Sequence, residues 1–176
     1  MKKIIAIGGS NSRKSINRTL ATYVANLLTD VEVIVADLND FEMPVYSPDL
    51  EQENGIPDNT KKLDDLIASA DGVVLSLAEY NGSYTPAYKN VFDWMSRINQ
   101  KVWKDKPIFL MATSPGAKGG ASVLSSAKNS MGYFAGNVIA DFSLPSFYDN
   151  YTEDGIKDGE LKNALNDKVQ LFQAAI

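Results

Sequence analysis

The sequence predicts an α/β protein, a three-layer doubly wound domain around a parallel five-stranded sheet. Three observations carry that prediction. Short apolar runs alternate with stretches of helical spacing along the chain. The runs are nearly continuously apolar, as strands covered on both faces require. Most end in Gly, Ser, Asn or Pro, the residues expected where a strand hands over to a crossover helix.

Taken in order, Lys3–Ile7 is the first strand, and it empties into Gly8-Gly9-Ser10-Asn11-Ser12 before a helix over Asn17–Leu28. Ser15 or Asn17 is positioned to cap that helix. Val31–Ala36 is the second strand. The stretch from Phe41 to Asp58, with Pro44, Pro48, Gly55 and Pro57 among acidic residues, is the longest irregular region and reads as a solvated surface loop. Asn59–Ala68 has helical spacing, and Gly72–Ala78 is the third strand. Thr85 as cap and Pro86 at the first helical position start a helix over Pro86–Arg97. Pro107–Thr113 and Val138–Phe142 are the fourth and fifth strands, separated by a helix over Gly120–Phe134, and Glu160–Ala174 closes the chain as a helix. Before that last helix lies a second irregular stretch, Pro145 to Gly159. Its Phe147, Tyr148 and Tyr151 either close over a ligand or partner or anchor the final helix. Strands separated by helices run parallel through right-handed crossovers, and five of them favour the flavodoxin-like order 2-1-3-4-5 over the six-stranded dinucleotide order.

At 176 residues and 44% hydrophobic, the chain is read as one domain, 1–176, with enough apolar content for a core without disulfides. No run approaches the ~18 apolar residues of a membrane span, and the start MKKIIAIGG is too brief for a signal peptide, so a cytoplasmic location is expected. With no cysteine and no histidine, thiol and imidazole chemistry are excluded. A net charge of −5 disfavours nucleic acid and anionic membranes as partners, which leaves a small organic ligand.

In an open parallel sheet the ligand lies beyond the carboxyl ends of the strands, beside the reversal of strand order. Three loops fall there. After the first strand, Ser10, Ser12, Ser15 and Asn17 offer hydroxyl and amide groups, and Arg13 offers a guanidinium. Together with the helix N-terminus they suit one phosphate. Neither G-x-G-x-x-G nor G-x-x-x-x-G-K-[ST] is present, so a monophosphate fits better than a dinucleotide or triphosphate. After the third strand, Glu79-Tyr80-Asn81-Gly82-Ser83-Tyr84-Thr85 presents tyrosines for a planar ring and an Asn-Gly turn. After the fourth, Thr113-Ser114-Pro115-Gly116-Ala117-Lys118-Gly119-Gly120 lets backbone approach a flat ligand edge and donate amides to ring carbonyls. Lys118 either meets a nucleotide phosphate or is simply solvated. Asp64-Asp65 and Glu153-Asp154 are sequence neighbours that diverge in space, so a carboxylate pair over a substrate is not expected. Lys89-Asn90 and Asp93-Trp94 belong to packing, capping or a subunit contact.

These residues carry a family resemblance. GSNSRKSINRTLA resembles the G-S-x-R-x-x-S-x-N segment of the NADPH-dependent FMN reductases, EYNGSYTPAYKNVFDW their P-E-Y-N-x-S…L-K-N-x-x-D-W segment, and SPGAKGG their S-P-G-x-x-G-G loop. The resemblance implies a flavodoxin-like fold, noncovalent FMN, NADPH or NADH as electron donor, and a homodimer or homotetramer. It implies that Ser10, Ser15 and Asn17 hold the FMN phosphate with Ile16 lending backbone. Glu79, Tyr80, Asn81 and Gly82 then line the ring and ribityl, and Ser114, Gly116, Gly119 and Gly120 its other edge. Two positions depart from the pattern. Arg13 lies three residues after Ser10, where the family's arginine lies two after and Ser12 stands here, so Arg13 either meets the phosphate or is solvated. Ala78 stands where the family has proline, which frees one backbone angle before Glu79. The implied activity is a ping-pong oxidoreduction on bound FMN, from a nicotinamide to a flavin, quinone or similar small acceptor, with no side chain as proton-transfer catalyst. A flavodoxin-like electron carrier that never turns over NAD(P)H is the alternative.

Overall fold

Strand order and layer assignment follow the expected doubly wound pattern in the computed structural model, which describes all 176 residues. In chain order the elements begin β1 (Lys2–Gly9), α1 (Ile16–Ala25), β2 (Val31–Ala36), a 3-10 turn (Leu38–Phe41), α2 (Pro48–Asn54) and α3 (Asp58–Ser69). Then come β3 (Gly72–Leu77), the small hairpin β4 (Glu79–Tyr80) and β5 (Ser83–Tyr84), α4 (Pro86–Ile98), β6 (Pro107–Thr113) and α5 (Ala121–Met131). The chain ends with β7 (Asn137–Leu144), α6 (Phe147–Asn150), a second hairpin of β8 (Tyr151–Thr152) and β9 (Gly155–Ile156), and α7 (Gly159–Gln173). The main sheet runs β2-β1-β3-β6-β7, all parallel, which is the order 2-1-3-4-5 among its five strands.

Alternation along the strands feeds two cores. Ile5, Ile7, Val73, Leu75, Leu77, Ile108 and Leu110 point to the face covered by α3, α4 and α5. Ile4, Ala6, Val74, Phe109 and Met111 point to the face covered by α1 and α7. The three central strands are buried almost throughout, whereas the edge strands β2 and β7 are only partly buried, so continuous burial holds only where a strand has neighbours on both sides. Gly8 marks the closest helix-on-strand approach. A Cβ there would lie 2.5 Å from the backbone nitrogen of Arg18, so only glycine lets α1 cross β1 at this depth.

Both irregular stretches contain more order than their composition suggests. Within Phe41 to Asp58, Ser47 caps α2 with Pro48 at its first position, and the segment is tied down by α4. Asn90 accepts from the Tyr46 N–H at 2.8 Å and donates to the Pro44 carbonyl at 3.1 Å, while the Trp94 indole donates to the same carbonyl at 2.7 Å. Asn90 and Trp94 are thus structural ties, and the solvated-loop reading of this segment is replaced by a short capped helix. Within Pro145 to Gly159, Phe147 is buried and stacks on Tyr151 at 4.8 Å, which packs edge-on to Tyr23 of α1, while Tyr148 stays exposed. The aromatics therefore divide between anchoring and the surface.

At the other end of the sheet, Asp71 and Lys3 clamp the start of β1. The Lys3 N–H donates to the Asp71 carboxylate and the Asp71 N–H to the Lys3 carbonyl, both at 2.8 Å. The Lys3 bond, helped by the nearby Lys2 ammonium, holds the Asp71 carboxyl below its ordinary range. A carboxylate depressed by folding stabilises above its unfolded pKa of about 3.9 and loses that contribution as pH falls through the folded value. Asp71→Asn is therefore expected to be less stable than the wild type at neutral pH, with the gap narrowing as pH drops below about 4. Urea midpoints measured across pH check this, and a gap constant with pH contradicts it.

Candidate functional site

The loops following β1, β3 and β6 converge at the carboxyl ends of the strands, beside β1 where strand order reverses. They enclose a cleft of about 200 Å³. Its walls are Ser10, Ser12, Lys14, Ser15, Ile16 and Asn17 from the first loop, Ala78, Glu79 and Tyr80 from the second, Thr113, Ser114 and Pro115 from the third, and Tyr148 of α6.

The first loop is wound by its own serines. The Ser10 hydroxyl accepts from the Ser12 N–H at 3.1 Å, that of Ser12 from Lys14 at 3.3 Å, and that of Ser15 from Arg18 at 3.1 Å as the cap of α1. Each oxygen is occupied as an acceptor, which leaves each hydroxyl proton to donate. The N–H groups of Ile16 and Asn17, in the first turn of α1, have no acceptor within the chain. Hydroxyl protons and orphan amides at a helix N-terminus form an anion cradle.

Asn17 ties the cleft to the sheet. Its side chain is buried, its Oδ1 accepts from the Ser76 hydroxyl at 2.7 Å and from the Thr113 N–H at 3.0 Å, and its Nδ2 donates to the Thr113 carbonyl at 3.0 Å. The second Nδ2 hydrogen and the backbone N–H have no acceptor within the chain, and Asn17 lines the cleft. Arg18 is committed: it is ion-paired with Asp37 and donates to the Arg13 carbonyl at 2.7 Å, which locks the loop from below. Arg13 is exposed and does not line the cleft, whereas neighbouring Lys14 does. Arg13, Lys14 and Lys118 take no part in any ion pair, so positive charge at the loops is unspent in a chain of net charge −5.

The second loop is the hairpin β4–β5. Asn81 at φ 51° and Gly82 at φ 77° form its two-residue turn, the left-handed pair that matches strand twist. Both lie outside the cleft wall, and space beyond the Gly82 α-carbon is open. Tyr80 is half exposed at the rim. The Glu79 carboxylate accepts from the Val123 N–H at 2.9 Å. In the third loop, the Gly116 carbonyl accepts from the N–H groups of Gly119 and Ser146, and the Ser114 carbonyl from Phe147. The Gly116, Ala117 and Lys118 N–H groups make no bond inside the chain. Open space surrounds Gly116, but Gly119 and Gly120 face the fold: a Cβ would meet the Ser143 hydroxyl at 2.5 Å in the first case and the Ala112 methyl at 2.9 Å in the second. Close packing against β7 and β6 therefore explains those two glycines.

Among the cleft residues, Lys14 and Ala78 had no assigned binding role in the sequence, and Tyr148, one of the aromatics expected either to close over a ligand or partner or to anchor the last helix, lines the cleft. Thr113 is the last residue of the fourth strand, and the carboxyl end of a strand is the signal that marks such a residue. A larger cavity of about 510 Å³, between the Leu38–Phe41 turn, Pro44 and α4, touches the first loop only through Asn11. Glu42 is its one charged residue, so it offers no cation to a phosphate.

Comparison with known proteins decides between the ligands such a cradle can hold. The family described as NADPH-dependent FMN reductase matches residues 2–149. The chain belongs to this family. The Escherichia coli (strain K12) quinone reductase is 31% identical over 119 residues, 68% of this chain and 63% of that protein, so the matched part spans less than two thirds of its length. The Burkholderia 2-hydroxy-1,4-benzoquinone reductase is 33% identical over 156 residues, 88% of this chain and 81% of its own. Among solved structures, the flavoenzyme NAD(P)H:(acceptor) oxidoreductase from Paracoccus denitrificans superposes with a TM-score of 0.78 at 27% identity, covering 99% of this chain and 96% of that one.

Asn17 is the residue of this site whose loss the fold feels most. Asn17→Ala strands the Ser76 hydroxyl and both backbone groups of Thr113 in a buried setting, at roughly 1–3 kcal/mol for each polar group left unpaired. A loss of at least about 3 kcal/mol in urea unfolding is expected; a loss under about 1 kcal/mol refutes the tie.

Proposed function

We propose that this chain is an FMN-dependent NAD(P)H oxidoreductase that passes electrons to a small quinone-type or flavin acceptor. The observation that carries the reading is the first loop, where the Ser10, Ser12 and Ser15 hydroxyl protons and the Ile16 and Asn17 N–H groups are all unspent donors beside Lys14. A phosphate monoester takes that set without side-chain bases, and the family match makes FMN the monoester. The open surroundings of Gly116 and the free N–H groups of Gly116, Ala117 and Lys118 fit the carbonyl edge of a flat ring.

When bound, FMN supplies the two-electron chemistry that a chain lacking histidine and cysteine does not supply itself. The protein's share is placement and field. The first loop would hold the phosphate, and the free N–H groups of Gly116, Ala117 and Lys118 would present preorganised dipoles to the ring. Tyr80 and Tyr148, exposed on either side of the cleft, form its rim. No helix is long and apolar enough to cross a membrane. We also propose a cytoplasmic homodimer or homotetramer, in line with the family resemblance and with acceptors that are small molecules rather than nucleic acid or membrane.

Anaerobic mixing of the FMN-loaded protein with NADPH, and separately with NADH, tests the reading. Rapid bleaching of the visible flavin band by at least one of them, reversed on adding a benzoquinone, is the expected result. A band that neither donor bleaches sinks the reductase reading and points to a carrier.

A further inference from the structure

Helix α5 begins without a cap of its own. Its N-cap residue is Gly120, at φ 76°, where a Cβ would stand 2.9 Å from the Ala112 methyl, so no side chain fits at the position that normally supplies the capping oxygen. The missing acceptor comes from 44 residues away: Glu79 Oε2 takes the Val123 N–H at 2.9 Å. A carboxylate suits that place, because the N-terminus of a helix carries partial positive charge and the bond is charge-assisted. The other two helices at the cleft cap themselves, α1 with Ser15 and α4 with Thr85.

Glu79 also opens the β4–β5 hairpin, and the far end of that hairpin is fixed separately. Thr85 donates its hydroxyl to the Gly9 carbonyl at 2.8 Å while accepting from the Tyr88 N–H at 3.1 Å. The hairpin is thus braced to the end of β1, where the first loop starts, by Thr85 and to the first turn of α5, where the third loop ends, by Glu79. We propose that Glu79 is a positioning residue for the flavin ring, whose carboxylate caps α5 and sets the gap between the hairpin and the Ser114–Gly120 loop. This rests on the flavin reading of the cleft. One carboxylate oxygen, Oε2, holds the Val123 N–H while Glu79 stands in the cleft wall. This role also separates the two halves of the ligand: removing Glu79 cuts the brace to the third loop and leaves the first loop, with its phosphate donors, intact.

Flavin fluorescence quenching by the apo protein reads this out with two probes, FMN and riboflavin, which share the ring and differ in the phosphate. Glu79→Ala is expected to weaken both by the same factor, about tenfold, the size of one hydrogen-bonded contact. Glu79→Gln keeps an acceptor oxygen of the same reach and is expected to stay within about threefold of wild type. Ser15→Ala, by contrast, weakens FMN and spares riboflavin. Glu79→Ala binding both flavins as tightly as wild type overturns the proposal and leaves the cap merely structural, and a loss confined to FMN overturns it as well. Should Glu79→Ala fail to fold, Glu79→Asp, which keeps the charge and shortens the reach, carries the same comparison, with equal weakening of both flavins in support and none against. Amide exchange at Val123, protected in the wild type and in Glu79→Gln and fast in Glu79→Ala or Glu79→Asp, tests the cap without any ligand. A wild-type chain that quenches neither flavin counts against the flavin reading, and the Val123 exchange rates then decide the cap alone.

Discussion

The buried carboxamide of Asn17 is the constraint on which the site depends. From the second position of α1 it reaches past β1 to Ser76 of β3 and to both backbone groups of Thr113 at the end of β6, and the Thr113 hydroxyl continues the line to the Leu144 carbonyl of β7 at 2.7 Å. Four elements are thereby held in register by polar contacts inside a dry interior, where such bonds are strong and their loss leaves groups that water cannot reach. The line fixes the start of α1 over the sheet. Because the start of α1 is where the unspent amides of Ile16 and Asn17 lie, the same contacts aim the anion cradle.

Above that tie the cleft is built from local economies of hydrogen bonding. Each of three serines in the first loop uses an oxygen lone pair to hold the chain in a turn and retains its proton. Arg18 spends its charge on Asp37 and on the Arg13 carbonyl, so it shapes the loop from beneath, and Lys14 brings charge to the wall. An acidic chain thus keeps local positive charge beside the anion cradle.

Much of this was legible in the residue order. Strand and helix alternation yielded the sheet, its five strands and their order, because burial on both faces leaves a continuous apolar signature and helix spacing leaves another. The three loops were legible as loops at one edge, and Asn81-Gly82 as a tight turn. The helix over Pro48–Asn54 was not, since its seven residues, five of them polar or acidic, include no buried one to imprint a period. Glycines were legible as positions and not as reasons. Gly119 and Gly120 look like ligand-approach residues in one dimension, yet each is required where the loop lies against a strand, whereas Gly82 and Gly116 have room for a side chain.

By itself the sequence determined the α/β architecture, the exclusion of thiol and imidazole chemistry, and the location of the cleft, because these follow from composition and from periods shorter than one element. The tertiary structure decided what individual polar side chains do. Asn90 is spent on the Tyr46 and Pro44 backbone, and Asn17 and Glu79, while standing in the cleft wall, bond to groups 96 and 44 residues away that the fold brings near. A hydrogen bond needs a partner at about 3 Å, and the identity of that partner is set by which elements pack together.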